Sequence, residues 1–182
     1  MFDLDRFIAD CQEAVRGRDG QRAVRELVAR AVSTPGAVLR ALGEPRRAGL
    51  FTLYRSETLT VLNLVWGPHM TLSPHNHGMW AVIGLYTGRE DNIFWRRIED
   101  EQGSRVAAAG AKSLAAGDAV PLGRDIIHSV VNPLPRLTGA LHVYGGDFFR
   151  PGRSEWDAET LRERPYDAER TRALFEAANR EH

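Results

Sequence analysis

The chain has 182 residues, with 24 Lys+Arg balanced by 24 Asp+Glu and a single cysteine. A formal charge of zero, with Lys112 the only lysine and no basic tract, speaks against nucleic acid as a partner, because such proteins neutralise runs of phosphate with clustered cations. With Cys11 alone, neither an intramolecular disulfide nor a thiolate zinc cluster can form, which fits a reducing compartment.

The N-terminus, MFDLDRFIADCQ, carries acids where a signal peptide would have a basic start and an apolar run. No later stretch is apolar enough to span a bilayer, so a cytoplasmic protein without a membrane partner is expected. From Leu4 to about Ser33, apolar residues recur at helical spacing, broken around Gly17 and Gly20, which predicts two helices. Cys11 falls in the first as a half-buried structural thiol. A third short helix is predicted over Pro35 to Leu42, with Pro in its first turn and Gly43 as its stop.

From Gly49 to Tyr144 the pattern changes to short runs rich in Val, Leu, Ile, Thr and aromatics: LFTLYRS, TLTVLNLVWG, WAVIGLYTG, NIFWRRIE, SRVAAAG, IIHSVVN and LTGALHVYGG. Many strands in series without helical spacers predict an antiparallel barrel or sandwich. After Ser154 the helical period returns, with segments expected around Trp156 to Arg164 and Asp167 to Arg180. The length suits one domain over 1–182: helical 1–45, β-barrel 49–146, helical again over 154–182. A monomer or a homodimer is expected.

Pro74-His75-Asn76-His77-Gly78 enters the strand that begins near Met79. Side chains alternate faces on an extended segment, so His75 and His77 point the same way and can meet one ion. Two histidines at this spacing also arise by chance, and support comes from a second segment. Gly117-Asp118-Ala119-Val120-Pro121-Leu122-Gly123 leads into Ile126-Ile127-His128-Ser129-Val130-Val131-Asn132. A histidine inside an apolar strand costs free energy unless its ring is bonded or ligated. Joining the HxH pair on one metal would supply His128 with that partner.

Together these two segments resemble the paired motifs of the cupin superfamily. His75, His77 and Gly88 fit the first motif, with Ala81 where its glutamate ligand stands. Gly117, Pro121, Gly123, His128 and Asn132 fit the second. The resemblance spans roughly residues 50 to 146 and implies a mainly β, double-stranded β-helix (jelly-roll) barrel with helices added at both ends. A cupin with three histidines and no glutamate resembles the thiol dioxygenases, the family of cysteine dioxygenase and bacterial 3-mercaptopropionate dioxygenase. That resemblance implies iron(II) on His75, His77 and His128, with zinc, nickel and manganese as alternatives, and a small thiol and O2 as partners converted to a sulfinate. It further implies a substrate-carboxylate region at Tyr54 and Arg55. It also implies an outer-sphere pair at His142 and Tyr144, with Ala140 where the family's triad has serine. No cysteine stands near Ala81 or Val82 to crosslink Tyr144, so its phenol is expected to be free.

Other readings stay open on the residues themselves. Three histidines with an open position also suit a hydrolytic zinc centre, and a non-catalytic metabolite-binding cupin would use the same barrel. His142 could be a core ring bonded to a carbonyl, Tyr144 a barrel-end tyrosine, and Arg55 an exposed strand residue or a partner of Glu57. His69 is read as a turn residue and His182 as chain end. Trp66, Trp80, Phe94 and Trp95 are read as barrel core or wall, with Trp80 a candidate for the pocket lining. Glu90 and Asp91, just past the Gly88 turn, are read as solvated.

Overall fold

A computed structural model describes residues 1–101 and 103–180. The chain starts with α1 (Leu4–Ala14), α2 (Gly20–Val32) and α3 (Pro35–Leu42). Asp3 caps α1 by accepting from the Arg6 amide at 2.9 Å, and Pro35 opens α3 where its missing N–H costs nothing. Eleven strands follow: β1 (Gly49–Arg55), β2 (Thr60–Trp66), β3 (Thr71–Asn76), β4 (Ala81–Thr87), β5 (Arg89–Asp100), β6 (Gly103–Ala115), β7 (Ala119–Leu122), β8 (Ile127–Val131), β9 (Thr138–Tyr144), β10 (Ser154–Trp156) and β11 (Glu163–Pro165). α4 (Ala168–Arg180) ends the described chain. Among the described residues no helix is long and apolar enough to cross a membrane.

The strands form two antiparallel sheets, ordered β1-β2-β9-β4-β7 and β11-β10-β3-β8-β5-β6. From β2 to β5 the chain steps from one sheet to the other at each strand, and it does so again from β6 to β9. That alternation winds a double-stranded β-helix, the mainly β cupin-type barrel expected from the sequence, with helices at both ends. Closing two sheets face to face gives the apolar residues of each strand a common interior.

β4 and β9 are buried on both faces, and their period of two sorts the side chains. Ala81, Ile83, Leu85, Ala140 and Tyr144 face the barrel interior, whereas Val82, Tyr86, Leu141 and Val143 face the N-terminal helices. Cys11 lies fully buried in that helix-facing layer, and burial pushes its thiol up to about 12, so it is an inert core residue. Gly84 lets α2 lie directly on β4: a Cβ there would sit 2.3 Å from Val28 Cγ1. Gly88, at φ 77°, turns β4 into β5 where a Cβ would sit 2.1 Å from Thr138 Oγ1.

One element differs from its sequence reading. The segment from Trp156 to Arg164, expected to be helical, is the β10–β11 hairpin, which adds to the second sheet through the pairing of Glu155 with His75. Trp156 is fully buried, and Asp157 accepts from the amides of Glu159 and Thr160, which stabilises a turn instead of a helix. α4 then crosses one end of the barrel. Phe175 stacks on Trp66 at 5.5 Å, and Asn179 bonds both the N–H and the C=O of Ala48 at 2.7 and 3.0 Å.

Candidate metal centre

His75, in β3, and His128, in β8, are directly opposed in the second sheet, and His77 follows β3 by one residue. All three rings are buried, with centroids 4.6 to 5.1 Å apart, and their ligand nitrogens lie within 4.8 Å of one another. His75 Nδ1 is 2.9 Å from the Ser73 carbonyl, which can only accept, so the proton is on Nδ1 and the Nε2 lone pair is free. His128 Nδ1 is 2.7 Å from Asn92 Oδ1, and its Nε2 is 3.3 Å from His77 Nε2.

Burial holds these rings neutral. It pushes His75 down to about 4, and it holds His77 and His128 well below the ordinary histidine value, helped by the neighbouring histidines. Neutral imidazoles with converging nitrogens, two of them with the outer nitrogen anchored (His75 on Ser73, His128 on Asn92), are a donor set suited to a metal centre. Nitrogens about 2.1 Å from one ion lie about 3.0 to 3.4 Å apart, which the 3.3 Å separation matches. The residues present therefore fit a divalent metal.

β9 supplies the opposite wall. His142 and Tyr144, two apart on one face, point into the same cavity, with His142 Nδ1 3.0 Å from the Tyr144 hydroxyl. Burial pushes the Tyr144 phenol well up, so it stays protonated near neutral pH. His77 packs edge-on against the Tyr144 ring at 5.1 Å. The enclosed space is about 20 Å³, room for a water. Leu50, Phe148, Tyr166, Thr171 and Phe175 separate it from an outer cleft of about 690 Å³.

Two residues that the sequence reading did not place at the site gain importance. Glu90, read as solvated, is fully buried: its carboxylate accepts from Trp66 Nε1 at 2.7 Å and Asn92 Nδ2 at 2.9 Å, and lies 3.6 Å from His142 Nε2. Burial alone would raise its carboxyl, but the contact with His142 and the bonds from Asn92 and Trp66 outweigh that and hold it below the usual range. Asp91 does face outward and pairs with Arg89. Arg153 is the second: its guanidinium is sandwiched between Phe148 at 4.3 Å and Tyr166 at 4.1 Å, with Nη1 buried and unbonded. Its charge contributes to depressing His75 and His77.

Three expected substrate residues stand elsewhere. The Tyr54 hydroxyl is 2.8 Å from Gln12 Nε2, and its ring packs with the helix-facing layer. Arg55 is half exposed, makes a bidentate pair with Asp147 at 2.8 Å, and lies over the Phe149 ring. Trp80 covers Gly145, where a Cβ would meet its ring at 2.1 Å, and packs with the helix-facing layer. None of the three lines the histidine cavity. β1 is an edge strand and Trp80 precedes β4 on its helix side, which accounts for these positions. His69 occupies a turn with φ 52°, Ala140 is buried in the barrel, and His182 lies outside the described residues. Trp66 and Trp95 are wall residues whose indoles bond Glu90 and Ser129, and Phe94 packs against the barrel interior.

No family model matches the sequence. Among solved structures, the chain is similar to an uncharacterised conserved protein with a double-stranded β-helix domain from Klebsiella pneumoniae, at 12% identity and TM-score 0.48, covering 64% of this chain and 87% of that one. It is similar to an RmlC-like cupin family protein from Methanocaldococcus jannaschii at 9% identity and TM-score 0.45, over 58% and 86% of the two chains. A variant of oxalate decarboxylase from Bacillus subtilis is 21% identical at TM-score 0.40, over 52% of this chain. The chain spans only 23% of that enzyme's length.

Proposed function

We propose that this protein is an iron(II)-dependent thiol dioxygenase that converts a small thiol bearing a carboxylate, with O2, to the sulfinate. The observation that carries the reading is the cluster of three neutral, buried histidines with no carboxylate among the candidate ligands, facing a tyrosine–histidine pair. The resemblance of the two histidine motifs to thiol dioxygenases supports the same choice. The balance is simple: RSH and O2 give RSO2− and one proton, both oxygen atoms ending on sulfur and no further reductant being consumed.

Iron(II) held by three neutral imidazoles keeps its full positive charge and supplies the Lewis acidity and redox chemistry that joining a thiolate to O2 requires. His75, His77 and His128 would hold it. Arg153, half-buried between two aromatic faces with an unbonded Nη1, lines the outer cleft and not the histidine cavity; it is suited to anchor the carboxylate of a substrate that enters from that cleft, because an anion there satisfies the orphan donor. The thiol proton can pass to the Tyr144 oxygen while the phenol proton moves to His142 Nδ1, 3.0 Å away. Phe148, Tyr166 and Phe175 shield the cavity from the outer cleft and exclude water.

The test is O2 uptake by the iron-loaded protein with cysteine, 3-mercaptopropionate and related thiol acids, with the product identified by mass. One O2 consumed per sulfinate formed, abolished by His128→Ala, is expected. Iron-loaded protein that oxidises none of these thiols, or a His128→Ala variant as active as the parent, contradicts the reading.

A further inference from the structure

The polar groups around Glu90 form a continuous chain that reaches both walls of the cavity. Oε1 accepts from Asn92 Nδ2 at 2.9 Å, and Asn92 Oδ1 stands 2.7 Å from His128 Nδ1. Oε2 accepts from Trp66 Nε1 at 2.7 Å and lies 3.6 Å from His142 Nε2, a buried nitrogen with no hydrogen bond of its own. Trp66, Asn92 and His142 thus meet at one fully buried carboxylate.

We propose that Glu90 is a positioning residue that fixes the proton on His128 and on His142, through Asn92 on one side and directly on the other. An ionised carboxylate only accepts, so the amide group of Asn92 must turn its NH2 toward Glu90 and its oxygen toward His128. That oxygen also only accepts, so His128 carries its proton on Nδ1 and keeps the Nε2 lone pair for the cluster. On the other side, the carboxylate favours the proton of His142 on Nε2. With its proton on Nε2, His142 presents a bare Nδ1 to Tyr144, which is the acceptor that the proposed transfer of the phenol proton needs. Glu90 thereby couples His142, through Asn92, to the proposed metal ligand His128.

Glu90→Gln probes this polarity with almost no change of shape. Glutamine has one oxygen where glutamate has two. If that oxygen faces Trp66, the NH2 group meets Asn92, whose amide must turn and present its own NH2 to His128. If it faces Asn92, donor meets donor at Trp66. The double variant E90Q/N92D restores the sequence of donors and acceptors. The carboxylate introduced at position 92 accepts both from His128 and from the new amide at position 90, and the oxygen of that amide accepts from Trp66.

The experiment is 15N NMR of the histidine tautomers in the metal-free protein, together with Co(II) affinity of the parent, E90Q and E90Q/N92D. Expected in the parent are Nδ1–H on His128 and Nε2–H on His142. E90Q is expected to bind Co(II) about 10- to 100-fold more weakly, and E90Q/N92D to recover most of that loss. A parent with Nε2–H on His128 or a bare Nε2 on His142 overturns the proposal. So does E90Q with the parent's affinity, or a double variant as weak as the single one. The affinity measurements rest on reading the three histidines as a metal centre. A parent that binds no Co(II) sinks that reading, while the tautomers of the metal-free protein decide on Glu90 by themselves.

Discussion

Three imidazoles pressed together inside a barrel are stable as neutral rings and costly as cations, because each charge would lose its hydration and repel the others. The consequence is a pH-dependent stability with a definite sign. The unfolded histidines titrate near 6.5, whereas His75 is held at about 4 and His77 and His128 also lie well below 6.5. Between those values the unfolded chain binds more protons, so stability falls as pH drops through that window and is retained above it. Urea midpoints of the metal-free protein should be flat in this respect above pH 7 and decline from about 6.5 toward 4; midpoints that rise on acidification would contradict the neutral cluster. Arg153 gives a second prediction. Arg153→Met should raise KM for thiol acids about 10- to 100-fold, the worth of a charge-assisted pair, with a far smaller effect on a thiol lacking the carboxylate. Arg55→Met should leave KM near the parent value, since Arg55 is engaged with Asp147; the reverse pattern would restore Arg55 as the anchor. The meeting of the three histidines was legible because HxH alternation and a histidine in an apolar run are local signals. Arg153 was not, since what marks it is two rings, Phe148 and Tyr166, brought together by the fold. Glu90 was half legible: with Asn92 it alternates against outward Arg89 and Asp91, but its partner Trp66 comes from another strand.

The strands were readable from their composition because β-branched and aromatic runs between turn residues fit a pleated, packed surface. The three N-terminal helices were readable from their periodicity, and α3 has the bounds its Pro and Gly signals set. Which face of each strand looks inward was not readable for β4 and β9, where both faces are apolar. Trp80, a pocket candidate because it follows His77 by three residues, lies on the helix side. The β10–β11 hairpin escaped notice because its strands are only three residues long, too short to display a period. The contact of α2 with β4 is where packing is tightest. Gly84→Ala should destabilise the protein by about 1–3 kcal/mol through overpacking against Val28 and Val32, measured by urea denaturation. It should leave metal affinity unchanged, because Gly84 faces the helices while the histidines face the barrel; a neutral substitution would mean that α2 does not lie this close.

At the scale of the molecule, the two sheets bring together residues far apart in sequence: three histidines from β3, the loop after it and β8, the His142–Tyr144 pair from β9, and Glu90 and Asn92 from β5. The C-terminal segment completes the enclosure, with Tyr166, Thr171 and Phe175 standing between the histidines and the outer cleft. A buried, neutral three-histidine cluster is an expensive thing to build without a ligand, since converging lone pairs gain nothing from one another. Anaerobic titration of the metal-free protein with iron(II) tests the account most directly. Binding of one ion per chain, lost in His77→Ala and in His128→Ala variants that remain folded, is the predicted result. Parent protein that binds no iron(II), or variants that bind it as tightly as the parent, would contradict it.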